Sequence, residues 1–286
     1  MTRPLGALLL LGGIVFAQDT PARPRITGID HVAFRVSDAA AARRFYGDLL
    51  GLVERGGAGE RAVAYGVGMR QAIVVEPGLG AGDEERLSHL AFATPDLDAM
   101  SAYLTSRGIG VRPVQDRQHP RAIHVTDPDG HTIEFVQADW PPPAAAGADP
   151  SHALSDRLLH AGLIVADETR AHTFYRETLG FTEMWRGGRP AGVTQWVNMR
   201  VADGTDYLEY MLAAAAPDRR QRGVMHHVCL RVPDMQQAWE DVARRSATLK
   251  LPLASVPQIG VNGRFQLNLY DHDGTRTELM EAFTVR

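Results

Sequence analysis

The chain has 286 residues, of which 44% are hydrophobic and 22% are charged, a profile typical of a folded protein long enough for two ordinary domains. A formal net charge of −4 and the lack of a polybasic run argue against a protein that binds nucleic acid or an anionic membrane surface. The single cysteine, Cys229, excludes an intramolecular disulfide and a cysteine-rich zinc site.

The first residues have the pattern of a secretory signal peptide. Arg3 precedes a short apolar stretch from Leu5 to Phe16, and Ala17 ends a small-residue cleavage site. The apolar stretch is shorter than the ~18 residues of a transmembrane helix, although an uncleaved anchor is the alternative. Residues 1–17 are therefore predicted to be removed after Ala17, which predicts a periplasmic or secreted protein that has no membrane contact after cleavage.

Two patterned regions, 28–138 and 157–284, flank a stretch rich in Pro, Ala and Gly at 139–156, which is predicted to be an interdomain linker. The regions resemble each other. "IDHVAFRVSD" matches "LLHAGLIVAD", and "FYGDLLGL" matches "FYRETLGF". Both matches have the same offset of 129 residues, since His31 aligns with His160 while Phe45 aligns with Phe174. The two regions are therefore predicted to be copies of one domain.

Each region also repeats within itself. "SHLAFATPD" matches "HHVCLRVPD", and "TDPDGHTIEFVQ" matches "YDHDGTRTELME". The chain therefore has four units, which start near residues 29, 87, 158 and 225. Each unit predicts a strand that ends near an Asp, then a helix, then strands joined by Gly or Asp-Gly turns.

The four units resemble the vicinal oxygen chelate superfamily, which includes glyoxalase I, methylmalonyl-CoA epimerase, extradiol dioxygenases and bleomycin-resistance proteins. The resemblance extends over about residues 28–284 and depends on the motifs quoted above. It implies an α+β fold of four βαβββ modules paired into two domains, each a cup-shaped mixed sheet with helices on the outside. It also implies one divalent metal per active domain, with His ligands from first strands and Glu or Gln ligands from last strands, and no nucleotide or organic cofactor.

The alternation of side chains along strands tests this ligand set in the second domain. His160, Glu209, His227 and Glu278 each lie on the more polar face of an alternating strand. Two imidazoles and two carboxylates suit Zn, Fe, Mn, Ni or Co. His226 has the opposite parity to His227 and is expected at the sheet edge rather than at the metal. The alternative is that these groups are polar residues on a solvated sheet face.

The first domain offers a second possible metal site. His31, His89 and Glu134 form a two-His-one-carboxylate set, the ligand type of non-haem Fe(II) oxygenases. Glu76 is a candidate fourth ligand, but the spacing from the preceding turn favours Ile73 or Val74 at that position. Whether the first domain is active or a degenerate copy stays open.

Five further residues are candidates for substrate binding because they share polar strand faces with the ligands: Trp196, Asn198, Arg200, Asn268 and His124. His124 is also a candidate acid–base group. Histidines in turns and on helix surfaces, such as His131, are expected to face solvent.

The resemblance leaves three functions open. The first is a metal-dependent lyase or isomerase of the glyoxalase or epimerase type, in which Glu209 or Glu278 acts as the base on a small substrate with two adjacent oxygens. The second is an Fe(II) extradiol-type ring-cleaving dioxygenase, although Asn268 and His272 depart from the motif of those enzymes. The third is a resistance-type protein that binds a small ligand. A monomer or homodimer is expected.

Overall fold

Two eight-stranded sheets make up the described part of the computed structural model, which comprises residues 21–55, 62–114, 121–137, 150–213, 215–252 and 255–284. The predicted signal peptide and most of the predicted linker lie outside these ranges, so both stay predictions. No helix within the described ranges combines the length and the apolar character needed to cross a membrane.

The first sheet contains two βαβββ modules. Its strands are β1 (Gly28–Val36), β2 (Val53–Arg55), β3 (Val63–Val67), β4 (Gln71–Pro77), β5 (Leu87–Thr94), β6 (Arg112–Val114), β7 (Ala122–Thr126) and β8 (Thr132–Gln137). Its helices are α1 (Ala39–Ala42), which continues as a π-helical segment over Arg43–Leu49, and α2 (Leu97–Ser106). The order across the sheet is β2-β3-β4-β1-β5-β8-β7-β6, so the first strands of the two modules meet at its centre.

The second sheet repeats this arrangement. Its strands are β9 (Leu158–Val165), β10 (Thr182–Gly187), β11 (Trp196–Arg200), β12 (Tyr207–Leu212), β13 (His227–Val232), β14 (Gln258–Ile259), β15 (Arg264–Tyr270) and β16 (Arg276–Thr284). Its helices are α3 (Glu168–His172), continued by a π-helical segment over Thr173–Thr178, α4 (Arg219–Met225) and α5 (Met235–Leu249), and a 3₁₀ turn over Pro150–His152 precedes the sheet. The order is β10-β11-β12-β9-β13-β16-β15-β14. The α+β fold of two cup-shaped mixed sheets is therefore confirmed, with α4 as an addition between the third and fourth modules.

The Asp that follows the first strand of every module begins the next helix. Asp38, Asp96, Asp167 and Asp234 each have extended backbone, and each side chain accepts hydrogen bonds from the first turn of its helix. A carboxylate at this position satisfies backbone N–H groups that have no partner within the helix. This explains why the strand-ending Asp recurs in all four units of the sequence.

The repeated "FY" and "DxDG" motifs join the two domains. The hydroxyl group of Tyr46 donates to Oδ2 of Asp271 at 3.1 Å, and that of Tyr175 donates to Oδ2 of Asp127 at 2.8 Å. Each Tyr lies in the helical segment of one domain, and each Asp begins a hairpin turn of the other. The helices therefore lie on the outer face of each cup, where the domains meet, and the same pair of contacts occurs twice in pseudo-twofold fashion.

The histidine of one hairpin turn is buried in this junction, which corrects the expectation that His131 faces solvent. Its Nδ1 donates to Asp127 at 2.8 Å, and its ring packs edge-on against His226 with centroids 4.9 Å apart. His226 in turn donates to Oε1 of Glu85 at 2.7 Å. His226 is completely buried and lies in the junction between the domains, outside the cluster of predicted ligands.

Candidate metal centres

The four predicted ligands of the second domain come together on adjacent strands. His160 on β9 and His227 on β13 approach each other to 3.1 Å between their Nε2 atoms. From Nε2 of His160, Oε2 of Glu209 is 3.8 Å away and Oε2 of Glu278 is 3.5 Å away. The corresponding distances from Nε2 of His227 are 3.5 and 3.7 Å. All four side chains are buried. The polar strand faces predicted from the sequence therefore meet in one buried cluster.

These distances fit a divalent metal. Ligand atoms about 2.1 Å from one ion lie about 3 Å or slightly more from each other. Nδ1 of His227 donates to the carbonyl oxygen of Met225 at 2.9 Å, which leaves the lone pair on Nε2, inside the cluster. Burial, Arg276 and His160 hold the pKa of His227 well below its usual value, so the imidazole is neutral, the form that binds metal.

Glu278 supplies negative charge to the same cluster. Burial raises the pKa of its carboxyl group, but the hydrogen bond to His160 and the charge of Arg276 outweigh burial, so the pKa lies below its usual value. The thiol of Cys229 also approaches this cluster, because its sulfur, a ligand atom of His160 and one of Glu278 all lie within 4.8 Å of one another. Burial raises the pKa of the thiol well above its usual value, so Cys229 stays protonated.

Gly162 makes room for His227. The two residues are cross-strand partners in the β9–β13 pairing. A Cβ at Gly162 would lie 2.0 Å from Nδ1 of His227 and 2.7 Å from the carbonyl oxygen of Met225, closer than nonbonded atoms can approach. The glycine in "LLHAGLIVAD" is therefore a packing requirement of the candidate metal centre, which the sequence pattern did not indicate.

The second possible site, in the first domain, also forms a cluster. Nε2 of His31 lies 2.9 Å from Nε2 of His89 and 3.6 Å from Oε1 of Glu134. His124 donates from Nε2 to Oε2 of Glu134 at 2.6 Å, so it contacts the candidate ligand. The structure therefore brings together a complete two-His-one-carboxylate set with a third histidine beside it.

Further carboxylates lie at the outer ring nitrogens of these histidines. Oδ1 of Asp30 accepts from Nδ1 of His31 at 2.8 Å, and Oε1 of Glu76 lies 3.7 Å from Nδ1 of His89. Carboxylates in this position orient metal-binding imidazoles. Burial lowers the pKa of His31, but Asp30 and Glu134 outweigh burial and raise it above its usual value.

Strand pairing shows which residue of β4 occupies the fourth-ligand position, for which Glu76 was a candidate. In the second domain Glu209 pairs with Gly162, whereas in the first domain Val74 pairs with Ala33 at the equivalent place. Val74 therefore occupies the position of Glu209, and Glu76 lies two residues further along β4.

A cavity of about 230 Å³ opens onto the second cluster and is bordered by Glu209 and Glu278. Of the residues predicted to bind substrate, Trp196 and Asn268 line this cavity. Asn198 is buried beside Glu209 as its cross-strand partner, and Arg200 is exposed at the end of β11, outside the lining. His124 belongs to the cluster of the first domain.

The sequence analysis missed several lining residues: Trp185, Arg189, Gln258, Gln266 and Arg276. Arg276 shares the polar face of β16 with Glu278, and that shared face was the signal available in the sequence. The remaining four come from a neighbouring strand, a loop and the β14–β15 hairpin, whose approach to the cluster depends on the curvature of the sheet.

The family model of the Glyoxalase/Bleomycin resistance protein/Dioxygenase superfamily matches residues 28–135 and 157–279. Similar solved structures include a variant of homoprotocatechuate 2,3-dioxygenase from Brevibacterium fuscum with HPCA, which has a TM-score of 0.71 and 21% identity over 93% of this chain and 73% of that one. The 2,3-dioxygenase LapB from Pseudomonas sp. KL28 has a TM-score of 0.71 and 16% identity over 91% and 94%. Homoprotocatechuate 2,3-dioxygenase from Arthrobacter globiformis has a TM-score of 0.72 and 20% identity over 94% and 84%. At these identities the likeness shows a shared fold.

Proposed function

Because the chain belongs to the Glyoxalase/Bleomycin resistance protein/Dioxygenase superfamily, we propose that its second domain is a divalent-metal-dependent lyase or isomerase of the glyoxalase or epimerase type. Its substrate is a small molecule with two adjacent oxygens, and the reaction begins with removal of a proton from the carbon beside them. The observation that carries this proposal is the convergence of Glu209 with Glu278 on the two histidines, at 3.5 to 3.8 Å.

Glu209 is the residue that supports the lyase or isomerase class over the dioxygenase class in the second domain. Four protein ligands leave two positions of an octahedral ion, enough for the two substrate oxygens. A ring-cleaving dioxygenase needs a third position for O₂, which a set of only two histidines and one carboxylate provides. The fourth carboxylate therefore favours proton transfer over oxygen chemistry in the second domain.

The residues take distinct roles in this reaction. A bound divalent ion would supply Lewis-acid polarisation of the substrate oxygens. Glu278 keeps its charge and stays a ligand, while Glu209, whose side chain is 11% exposed against 5% for Glu278, borders the cavity and takes the proton. Trp196 and Asn268 hold the substrate, with the indole excluding water from one side.

A ring-cleaving dioxygenase remains the second candidate, and the first domain favours it. That domain has Val74 in place of a fourth ligand, and its set of His31, His89 and Glu134 leaves three positions. His124, hydrogen-bonded to Glu134, would be the acid–base group of this candidate reaction. The fold shared with solved 2,3-dioxygenases supports the same candidate.

The location of the reaction is a separate proposal. The signal-peptide pattern of residues 1–17 supports export to the periplasm or the medium, where glutathione and CoA thioesters are not the expected substrates. Small extracytoplasmic metabolites are therefore the first compounds to test.

Metal analysis joined to two activity measurements tests the proposal. The mature protein and its Glu209→Gln and Glu134→Gln variants are loaded anaerobically with Fe, Zn, Mn, Ni or Co and their metal content is measured. NMR then measures the exchange of carbon-bound hydrogen for deuterium in hydroxy-carbonyl compounds dissolved in D₂O. Oxygen uptake is measured with catechols as substrates. We expect exchange that Glu209→Gln abolishes and Glu134→Gln leaves intact.

Two results would overturn the proposal. Oxygen uptake that depends on Glu134, without any exchange dependent on Glu209, transfers the function to the dioxygenase candidate. If neither domain retains metal, both enzyme candidates fail, and a protein that binds a small ligand is the function that remains.

A further inference from the structure

The cavity of the second domain contains a guanidinium group next to the candidate ligands. From this group we infer that the substrate is an acid: Arg276 binds one oxygen of its carboxylate, while the other carboxylate oxygen and the adjacent 2-oxo or 2-hydroxy oxygen face the metal ligands. The inference deepens the proposed function, on which it rests, by naming the substrate class as small 2-oxo or 2-hydroxy acids.

Arg276 lies close to the reacting position. It precedes Glu278 by two residues on β16, so both side chains emerge on the same face, about 7 Å apart along the strand. Its Nη2 lies 2.8 Å from Nδ1 and 2.7 Å from Nε2 of His227. The lone pair of Nε2 serves one cation at a time, so an ion bound by His227 leaves the guanidinium to bind an anion.

The guanidinium has unused hydrogen-bonding capacity. Its Nε is buried and has no hydrogen-bond partner among the described residues. No carboxylate within the described ranges forms an ion pair with it, although Glu278 is near enough for their charges to interact. A guanidinium with free donors matches a carboxylate oxygen, which accepts charge-assisted hydrogen bonds.

The charge of the cavity points the same way. The carboxylates of Glu209 and Glu278 together compensate a divalent ion, and the two histidines are neutral as ligands. Half-buried Arg276 then remains as excess positive charge in the lining, whereas the side chain of Arg189 at the same cavity is exposed to solvent. Positive charge withdrawn from water without a partner is unfavourable, and an anionic substrate would supply the partner.

The remaining lining suits a small polar acid. The amides of Gln266 and Asn268 and the indoles of Trp185 and Trp196 face a volume of about 230 Å³. Oδ1 of Asn268 is buried and has no partner among the described residues, so it can accept a hydrogen bond from a substrate hydroxyl group. Donors for a carboxylate thus lie beside an acceptor for a hydroxyl group, within a cavity sized for a few carbon atoms.

A binding measurement tests the inference without turnover. Trp185 and Trp196 line the cavity, so ligand binding is measured as a change in tryptophan fluorescence. The protein is loaded with zinc, which has no redox chemistry. The probes are pyruvate and methyl pyruvate, which differ mainly in the charge of one group. We expect wild type to bind the acid at least tenfold more tightly than the ester, and Arg276→Gln to lose that preference while Arg276→Lys retains part of it.

The controls separate loss of the anion site from general damage. Arg220→Gln removes an exposed arginine of α4, outside the cavity, and should keep the wild-type preference. Zinc content and thermal unfolding show whether Arg276→Gln still folds and binds metal. Equal binding of acid and ester by wild type, no acid binding at millimolar concentration, or an unchanged preference in folded Arg276→Gln each overturns the inference.

The same data distinguish this inference from the proposed function. Wild type that exchanges protons in neutral hydroxy-carbonyl compounds but does not prefer the acid loses only the inference. An acid preference that depends on Arg276, in a protein that never exchanges protons, supports the anion site and overturns the proposed reaction.

Discussion

The two domains carry the same pair of facing histidines in different surroundings. The Nε2 atoms are 2.9 Å apart in the first domain and 3.1 Å apart in the second, and in both a glutamate from the last strand completes the cluster. The differences lie at three equivalent positions of the polar face. Val74, His124 and Thr132 in the first domain correspond to Glu209, Asn268 and Arg276 in the second. One fold therefore presents two different sets of ligands and charges.

One histidine of each cluster has a shifted pKa, although the two are not equivalent positions, since His31 aligns with His160 and His227 aligns with His89. In the first domain Asp30 and Glu134 raise the pKa of His31 against the effect of burial. In the second, burial and Arg276 lower the pKa of His227. The proposed anion site depends on Arg276, for which the first cluster has no equivalent, because Thr132 occupies that position. A few residues on a shared sheet geometry are enough to give the two domains different sets of candidate ligands.

Exchanging the fourth-ligand position should have the largest effect. Glu209→Val should lower the rate of proton exchange about a hundredfold or more, because the base is lost. It should also weaken metal binding in the second domain. Val74→Glu should lower the stability of the metal-free protein, since it buries a carboxylate among Ala33, Ala64 and Ala72, and added metal should restore that stability. Metal titration and thermal unfolding measure both effects. Equal loss of exchange in Glu134→Gln would contradict the assignment to the second domain.

Adding one methyl group at Gly162 should have the second-largest effect. Gly162→Ala would push the ring of His227 out of the cluster, so metal affinity in the second domain should fall by about 10- to 100-fold. The matched control is Ala33→Gly, since Ala33 pairs with His89 as Gly162 pairs with His227, and it should leave the first domain's affinity nearly unchanged. Isothermal titration with zinc measures each. An unaltered affinity in Gly162→Ala would show that His227 is not a ligand.

The junction between the domains offers a third prediction, with a smaller expected effect, because its two Tyr–Asp contacts are equivalent positions of the two domains. Tyr46→Phe and Tyr175→Phe each remove a hydrogen bond to a buried carboxylate, which should cost about 1.5–3 kcal/mol of unfolding free energy. Tyr46→Phe should cost more, because Asp127 keeps the side chain of His131 as a partner, whereas the equivalent residue beside Asp271 is Thr275. Chemical denaturation of both variants measures the difference. The reverse order would contradict this account of the junction.

His131 should produce the smallest effect, a pH dependence. Burial lowers its pKa, but Asp127 outweighs burial and raises it above the usual value. A raised pKa in the folded state contributes stability that is present below the unfolded-state pKa, about 6.5, and is lost as the pH rises through the folded-state pKa. His131→Thr, which copies Thr275, should therefore lower Tm more at pH 5.5 than at pH 9. Equal losses at the two pH values would exclude a charged His131.

The internal repeats and the alternation along strands determined much of this protein before its structure was considered. The four modules and the strand-ending Asp residues follow from the repeats, and strand parity fixes the polar faces that carry His160, His227, Glu209 and Glu278. The convergence of these four residues in one cup was an implication of the family resemblance. Strand parity also separated His227 from His226. The metal-binding roles themselves stay predictions.

Tertiary structure alone decided which distant residues meet those faces. The register of β1 with β4 selects Val74 for the fourth-ligand position, where the spacing in the sequence had left Ile73 and Val74 as alternatives. The approach of the β14–β15 hairpin brings Gln258 and Gln266 into the cavity with Arg276, and the docking of the domains buries His131. Register, sheet curvature and domain packing depend on contacts between segments far apart in the chain, which local patterns do not encode. The sequence therefore determined the faces and the candidate ligands, and the fold decided the charge around them.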